Sequence, residues 1–280
     1  MSPWYYLIVL IEVPILLGVA YAGGWWLYVA VAFATLMGMG ELYSALIVRG
    51  KRPEAAVGYL CALLMLMAAA FGGEALWAEL VILMVFVSVA APLAAQFGRT
   101  GEPGRTGDAA TTMLVIMYIA LPMSFLFLLR QFDVTLAVTG ETQGPVAARL
   151  GALLLMMAAV WISDTAAWGI GKLYGRTKMT PKLSPNKTWE GAAAGTAGAV
   201  LATLVVGVGW LGLSFAHGVI LGLLLAAAAQ IGDLAESVIK RDLQVKDFGT
   251  LLGPHGGMLD TFDGLLFAAP VAWFYLQFFV

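Results

Sequence analysis

Apolar residues in this chain come in long blocks separated by short polar, turn-forming runs. The blocks lie near 4–22, 25–47, 55–72, 75–95, 108–129, 148–170, 190–211, 214–235 and 258–280. Crossing the hydrocarbon core of a bilayer takes roughly 17–25 apolar residues in a helix. The pattern therefore predicts an all-α polytopic membrane protein of about nine transmembrane helices. The two most polar interruptions, 171–189 and 236–257, fall late in the chain. On that basis we divide it into N-terminal helices over 1–107, for lipid packing, and a C-terminal region over 108–280 that carries both polar loops.

Composition agrees. Of 280 residues, 61% are hydrophobic and 11% charged, with a mean hydropathy of +0.89, whereas soluble domains carry roughly a quarter charged residues. The net charge of −2 offers no basic face for nucleic acid. Cys61 is the one cysteine, which excludes a disulfide framework and a thiolate zinc cluster. The N-terminus lacks a basic n-region and an obvious cleavage site, so the first block reads as a retained span.

Charge also sets an expected orientation. With nine spans and a cytoplasmic N-terminus, thirteen of the fifteen Lys and Arg fall in internal loops, leaving Arg130 and Arg149 outside. By the positive-inside rule this places both polar loops on the cytoplasmic side; the expected location is the cytoplasmic (inner) membrane.

Seven acids fall within or beside the spans: Glu12, Glu79, Asp164, Asp233, Glu236, Asp260 and Asp263. A carboxylate at membrane depth is costly and marks a functional site by default. Glu12, Glu79 and, near the end of span two, Glu41 are isolated and read as helix-packing or interfacial groups. The others gather towards one surface. Asp233 and Glu236 are spaced i, i+3, as are Asp260 and Asp263, so each pair lines one helix face. Facing one another, they would repel unless a cation joined them, and an oxygen-only set favours Mg²⁺. Salt bridges to Lys240, Arg241 and Lys246 are the structural alternative.

The loops carry matching chemistry. PKLSPNKTWEG over 181–191 offers Lys182 and Lys187 for phosphates, with Ser184, Asn186 and Thr188 as neutral donors. Ordinary positive-inside charges in a cytoplasmic turn account for the lysines equally well. Thr188 is placed to cap the following helix, with Glu190 in its first turn. GPHGG over 253–257 permits a tight turn whose amides can approach an anion. Lone histidines such as His255 and His217 say little by themselves.

The stretch from Ser237 to Asp263 resembles the signature of phosphatidate cytidylyltransferases, the CDP-diacylglycerol synthases. Ser237, Lys240-Arg241, Lys246-Asp247, Gly249, Gly253, His255-Gly256-Gly257, Asp260 and Asp263 match its spacing, with Gln230 to Glu236 as the lead-in. A second block agrees: Asp164, Gly171-Lys172, Gly175-Arg176 and Ser184 to Gly191. Two positions depart from it: Thr261 stands where the family usually has Arg, and Trp168 where tyrosine is expected.

The resemblance implies transfer of the cytidylyl group of CTP to phosphatidic acid, giving CDP-diacylglycerol and pyrophosphate, with Mg²⁺ as cofactor and the number of ions open. It implies Asp233, Asp260 and Asp263 as metal ligands, supported by Glu236 or Asp164. Lys187, Lys240 and Arg241 would neutralise phosphates, and Lys246 would serve the leaving group. His255, Gly256 and Gly257 would shape the phosphate pocket, and Lys182, Ser184, Asn186, Thr188, Glu190 and Ser237 would complete the substrate contacts. The implied partners are the two substrates, the bilayer and a second copy in a homodimer. A cation-coupled secondary transporter is the alternative, although no internal repeat is evident. A CDP-alcohol phosphotransferase fits less well, since its D-G-x-x-A-R opening is absent.

Overall fold

The computed structural model describes residues 14–97, 105–139, 147–250, 253 and 256–280. After a helical stretch over 14–22, the long elements are α1 (Gly24–Val48), α2 (Ala55–Phe71) and α3 (Gly73–Ala95). There follow α4 (Arg105–Val115) and α5 (Leu121–Gln131), fused through one π-helical turn at Ile116–Ala120, and the short α6 (Val134–Thr139). The remainder comprises α7 (Ala147–Tyr174), an antiparallel hairpin of β1 (Lys178–Thr180) and β2 (Ser184–Thr188), α8 (Trp189–Thr203), α9 (Phe215–Asp242) and α10 (Met258–Phe279).

Among the described residues, seven helical segments are long and apolar enough to cross a membrane: Gly24–Val48, Leu76–Ala95, Thr106–Gln131, Leu150–Tyr174, Trp189–Val208, Phe215–Asp242 and Met258–Phe279. The expected span at 55–72 is a 17-residue apolar helix. Most of the block at 4–22 lies outside the described residues. Leu76, Ile82, Leu83, Phe86 and Leu93 of α3 are exposed, the surface of a helix bathed by lipid. The protein is an integral membrane protein built almost entirely of helix.

The helices form two compact units: Met1–Leu128 with Asp242–Phe262, and Leu129–Arg241 with Asp263–Val280. In the first, α1 packs against α2, and α3 against α2 and α4. Trp77 meets Phe125 edge to face there, and Tyr43 fills the space left by Gly58.

In the second unit α7 and α8 make an extensive contact. Small residues allow it. A Cβ at Gly195 would lie 3.0 Å from the Ser163 carbonyl, and one at Gly198 would lie 3.2 Å from the Ile162 carbonyl. This is the close backbone approach by which membrane helices associate in the absence of a hydrophobic drive between them.

Two expected loops are more ordered than their polarity implies. Residues 236–242, read as loop, are the last two turns of α9. An i, i+4 pair between Glu236 and Lys240 supports these turns, and Lys240 and Arg241 face the negative end of the helix dipole. The loop at 171–189 is likewise divided. Its first four residues extend α7, and most of the rest is the hairpin, with Lys178 opposite Thr188 and Thr180 opposite Ser184.

Candidate active site

In the second unit, three carboxylates converge: Asp233 and Glu236 from α9 and Asp263 from α10. One oxygen from each lies within 4.8 Å of the other two. The i, i+3 spacing puts Asp233 and Glu236 on one face, and Gly232 brings that face against α10. A Cβ at Gly232 would sit 2.6 Å from the Asp263 carbonyl, so only glycine permits this crossing. Asp263 Oδ1 also accepts from the Gly264 amide at 2.6 Å.

Lysines pair with two of the three acids. Lys187 Nζ lies 2.6 Å from Asp233 Oδ2, and Lys240 Nζ lies 2.5 Å from Glu236 Oε2. The Lys187 approach is a charge contact outside hydrogen-bonding directions, whereas Lys240 donates a well-aligned hydrogen bond. The side chain of Glu236 is 2% exposed and that of Asp233 44%, so the group is closed on the Glu236 side and open on the other. Asp164 of α7 is exposed and interacts electrostatically with Asp233 and Lys187. The salt-bridge alternative is thus realised for Lys240, while Asp233 pairs with Lys187 instead.

Three hard oxygen donors with an open side suit a divalent cation that keeps several waters. At a Mg²⁺–oxygen distance of about 2.1 Å, neighbouring ligands of an octahedron stand about 3 Å apart and opposite ones about 4 Å. The oxygens of the observed group, all within 4.8 Å of one another, are spaced on that scale. Its lack of His and Cys sets it apart from zinc sites.

The hairpin carries Lys187 and is pinned at both ends. Thr188 caps α8 as expected, its hydroxyl accepting from the Gly191 amide at 3.2 Å. Glu190 accepts from the Thr177 amide through both oxygens, at 3.0 and 3.2 Å, and the Trp189 amide donates to the Thr177 carbonyl. Arg241 Nε donates to the Leu183 carbonyl at 3.1 Å, holding the hairpin to the end of α9. Thr188, Glu190 and Arg241 thus have structural partners that fix where Lys187 stands. Lys182 and Asn186 are exposed on the hairpin, and Ser184 and Ser237 are half-buried.

The glycine turn belongs to the first unit. Gly256 has φ 85°, which only glycine adopts without strain. Asp260 is outside the three-carboxylate group; its carboxylate accepts from the Phe248 amide at 3.0 and 3.3 Å and from the Gly257 amide at 2.6 Å. Thr261, in the position expected to hold Arg, donates to the Gly257 carbonyl at 3.1 Å. Lys246 is exposed, and His255 lies outside the described residues.

One acid that reads as a packing group has a defined task. Glu41 of α1 accepts from the Met258 and Leu259 amides, each at 2.9 Å. Nothing local signals this, since its partners lie more than 200 residues away. Gln230, which opens the lead-in of the motif, has a role its sequence position did not specify: its amide donates to the Ala192 carbonyl and to Thr196 Oγ1, joining α9 to α8.

A family model described as the Cytidylyltransferase family matches residues 5–279. The chain belongs to this family. It is 40% identical over 126 residues to a phosphatidate cytidylyltransferase of Mycobacterium bovis, covering 45% of this chain and 41% of that protein. It is 44% identical over 128 residues to a phosphatidate cytidylyltransferase of Brucella suis, covering 44% of this chain and 46% of that one. The chain thus matches less than half the length of these curated relatives. None of these matches supports the cation-coupled transporter alternative.

Proposed function

We propose that the chain transfers the cytidylyl group of CTP to phosphatidic acid. A phosphate oxygen of the lipid forms a bond to the α-phosphorus of CTP. The bond from that phosphorus to the bridging oxygen breaks, and its electron pair leaves with pyrophosphate. The lipid phosphate is already ionised at neutral pH, so the chemistry needs no general base and rests on positioning and charge neutralisation.

The observation that carries this reading is the group of Asp233, Glu236 and Asp263 with Lys187 and Lys240 beside it, in a membrane protein of the cytidylyltransferase family. A bound Mg²⁺ would supply charge neutralisation and orientation for the triphosphate. Asp233, Glu236 and Asp263 would hold it, and Asp164 would orient its waters. Lys187 and Lys240, which pair with Asp233 and Glu236, stand where they would also reach phosphate oxygens of a bound substrate. Arg241 keeps the hairpin, and with it Lys187, in reach.

The proposal includes a site facing the cytoplasm in the inner membrane, where CTP is available and the lipid enters sideways. The positive-inside distribution supports that orientation. A homodimer and the absence of any nucleic-acid role belong to the same reading.

The test is CTP- and Mg²⁺-dependent formation of CDP-diacylglycerol from phosphatidic acid by purified protein in detergent, with Asp263→Asn alongside. Product from the wild type that disappears in the variant and with a chelator is the expected result. Absence of product from well-folded wild type, with active controls, would overturn the proposal.

A further inference from the structure

A glycine turn leading into a helix N-terminus ordinarily offers its amides to an anion from outside. The resemblance accordingly assigns Gly256 and Gly257 to a phosphate pocket. In this chain four described amides of the turn are already engaged. Phe248 and Gly257 donate to Asp260, and Met258 and Leu259 donate to Glu41.

The fit around Glu41 is close on two sides. A Cβ at Gly257 would run into both oxygens of the Glu41 carboxylate, and one at Gly249 would meet its Oε1. A Cβ at Gly256 would collide with the Asp260 carboxylate in the same way. The space opened by three glycines is thus filled by two carboxylates of the chain itself. Glu41 uses both oxygens, one for each amide, so neither an amide nor a shorter side chain reproduces it. Gly38, one turn earlier in α1, rests against Leu259, which fixes the height at which Glu41 meets the turn.

We infer that Glu41 is a positioning residue: with Asp260 it fixes the backbone at Phe248 and over 256–259, which is built on protein carboxylates rather than on a substrate phosphate. Its glycines are glycines because two acids must reach the backbone. The effect on turnover rests on the proposed function, but the effect on the turn does not.

The test follows amide hydrogen exchange over 248–262 in the full-length protein in detergent, for wild type, Glu41→Gln and Glu41→Asp. Losing one acceptor should speed exchange at Met258 and Leu259 on the order of tenfold. Glu41→Asp, which keeps both oxygens on a shorter stem, should recover part of the protection. Unchanged exchange in both variants would overturn the inference. Adding CTP or inorganic pyrophosphate with Mg²⁺ should leave these amides as they are in the wild type. New protection there in Glu41→Gln would instead identify a phosphate cradle.

Kinetics separates the same alternatives. Glu41→Gln should lower kcat on the order of tenfold, with KM for CTP held within about twofold. A fall in KM would mean that Glu41 had been competing with substrate for the amides, and an unchanged kcat would end the positioning role. A wild type with no CDP-diacylglycerol synthesis but the predicted exchange pattern would remove the proposed function and leave the inference about the turn standing.

Finally, Gly257→Ala should reproduce the exchange change. Combined with Glu41→Ala, which vacates the space, its effect should be less than additive. Strict additivity would count against the inference.

Discussion

Gly232→Ala is the most exacting probe of the carboxylate group, because it alters no charge. The added methyl would start 2.6 Å from the Asp263 carbonyl oxygen, a backbone atom that cannot rotate away. That is roughly 0.9 Å short of ordinary van der Waals separation, so α9 and α10 must part by most of an ångström beside the cluster. Overpacking of this kind costs about 1–3 kcal/mol of stability. The larger effect falls on the site. Mg²⁺ demands near-ideal octahedral geometry at about 2.1 Å, whereas Ca²⁺ accepts oxygens at about 2.3–2.6 Å in flexible arrangements.

On the proposed reading, Gly232→Ala should lower Mg²⁺-dependent turnover by about 10²-fold, the usual scale for a displacement of 1 Å. Ca²⁺ binding should fall much less. Gly264→Ala is the control: its Cβ would meet the Val160 Cγ1 methyl at 3.3 Å, a side chain that can yield. The assays are CDP-diacylglycerol formation and competition of Mg²⁺ and Ca²⁺ against bound Mn²⁺ followed by paramagnetic resonance. Wild-type Mg²⁺ affinity in a folded Gly232→Ala protein would refute the placement of the cation between α9 and α10.

Other outcomes follow from the same contacts. Lys240→Met removes the cation beside the buried Glu236 carboxylate and should cost about 3–5 kcal/mol, read as a lower Tm in detergent. Adding Glu236→Gln should restore much of that stability but not activity. Thr188→Ala removes the cap of α8 and should cost about 1 kcal/mol, with faster proteolysis within 178–188. Gly195→Val drives a side chain onto the Ser163 carbonyl and should separate α7 from α8, a loss of about 1–3 kcal/mol visible in thermal unfolding.

The helical fold was legible in the lengths of the apolar blocks, because hydropathy is a property of each segment alone. The Thr188 cap was legible for the same reason: its partner, the Gly191 amide, is three residues away. The hairpin over 178–188 was not, since Pro181, Pro185 and the lysines read as loop and its pairing depends on the ends of α7 and α8. Periodicity correctly put Asp233 and Glu236 on one face, and Gly232 explains how Asp263 joins them. It could not show that Asp260, at the same spacing from Asp263, is engaged by the Phe248 and Gly257 amides. The Gly191, Gly195 and Gly198 stripe was present in the sequence but gains meaning only from the carbonyls of α7 that it meets.

The bond between Glu41 and the Met258 amide joins residues 217 positions apart. At a synthesis rate of about 5–20 residues per second, the ribosome needs roughly 10–40 s to make the chain between them. Through that interval α1 is in the bilayer with an acid that has not met its backbone donors. The first unit can therefore close only when the start of α10 emerges and threads its glycine turn over the waiting carboxylate. Completion of the first unit is a late event that waits for the start of α10, and a protein stalled before residue 258 would present quality-control machinery with a Glu41 carboxylate lacking these two backbone donors.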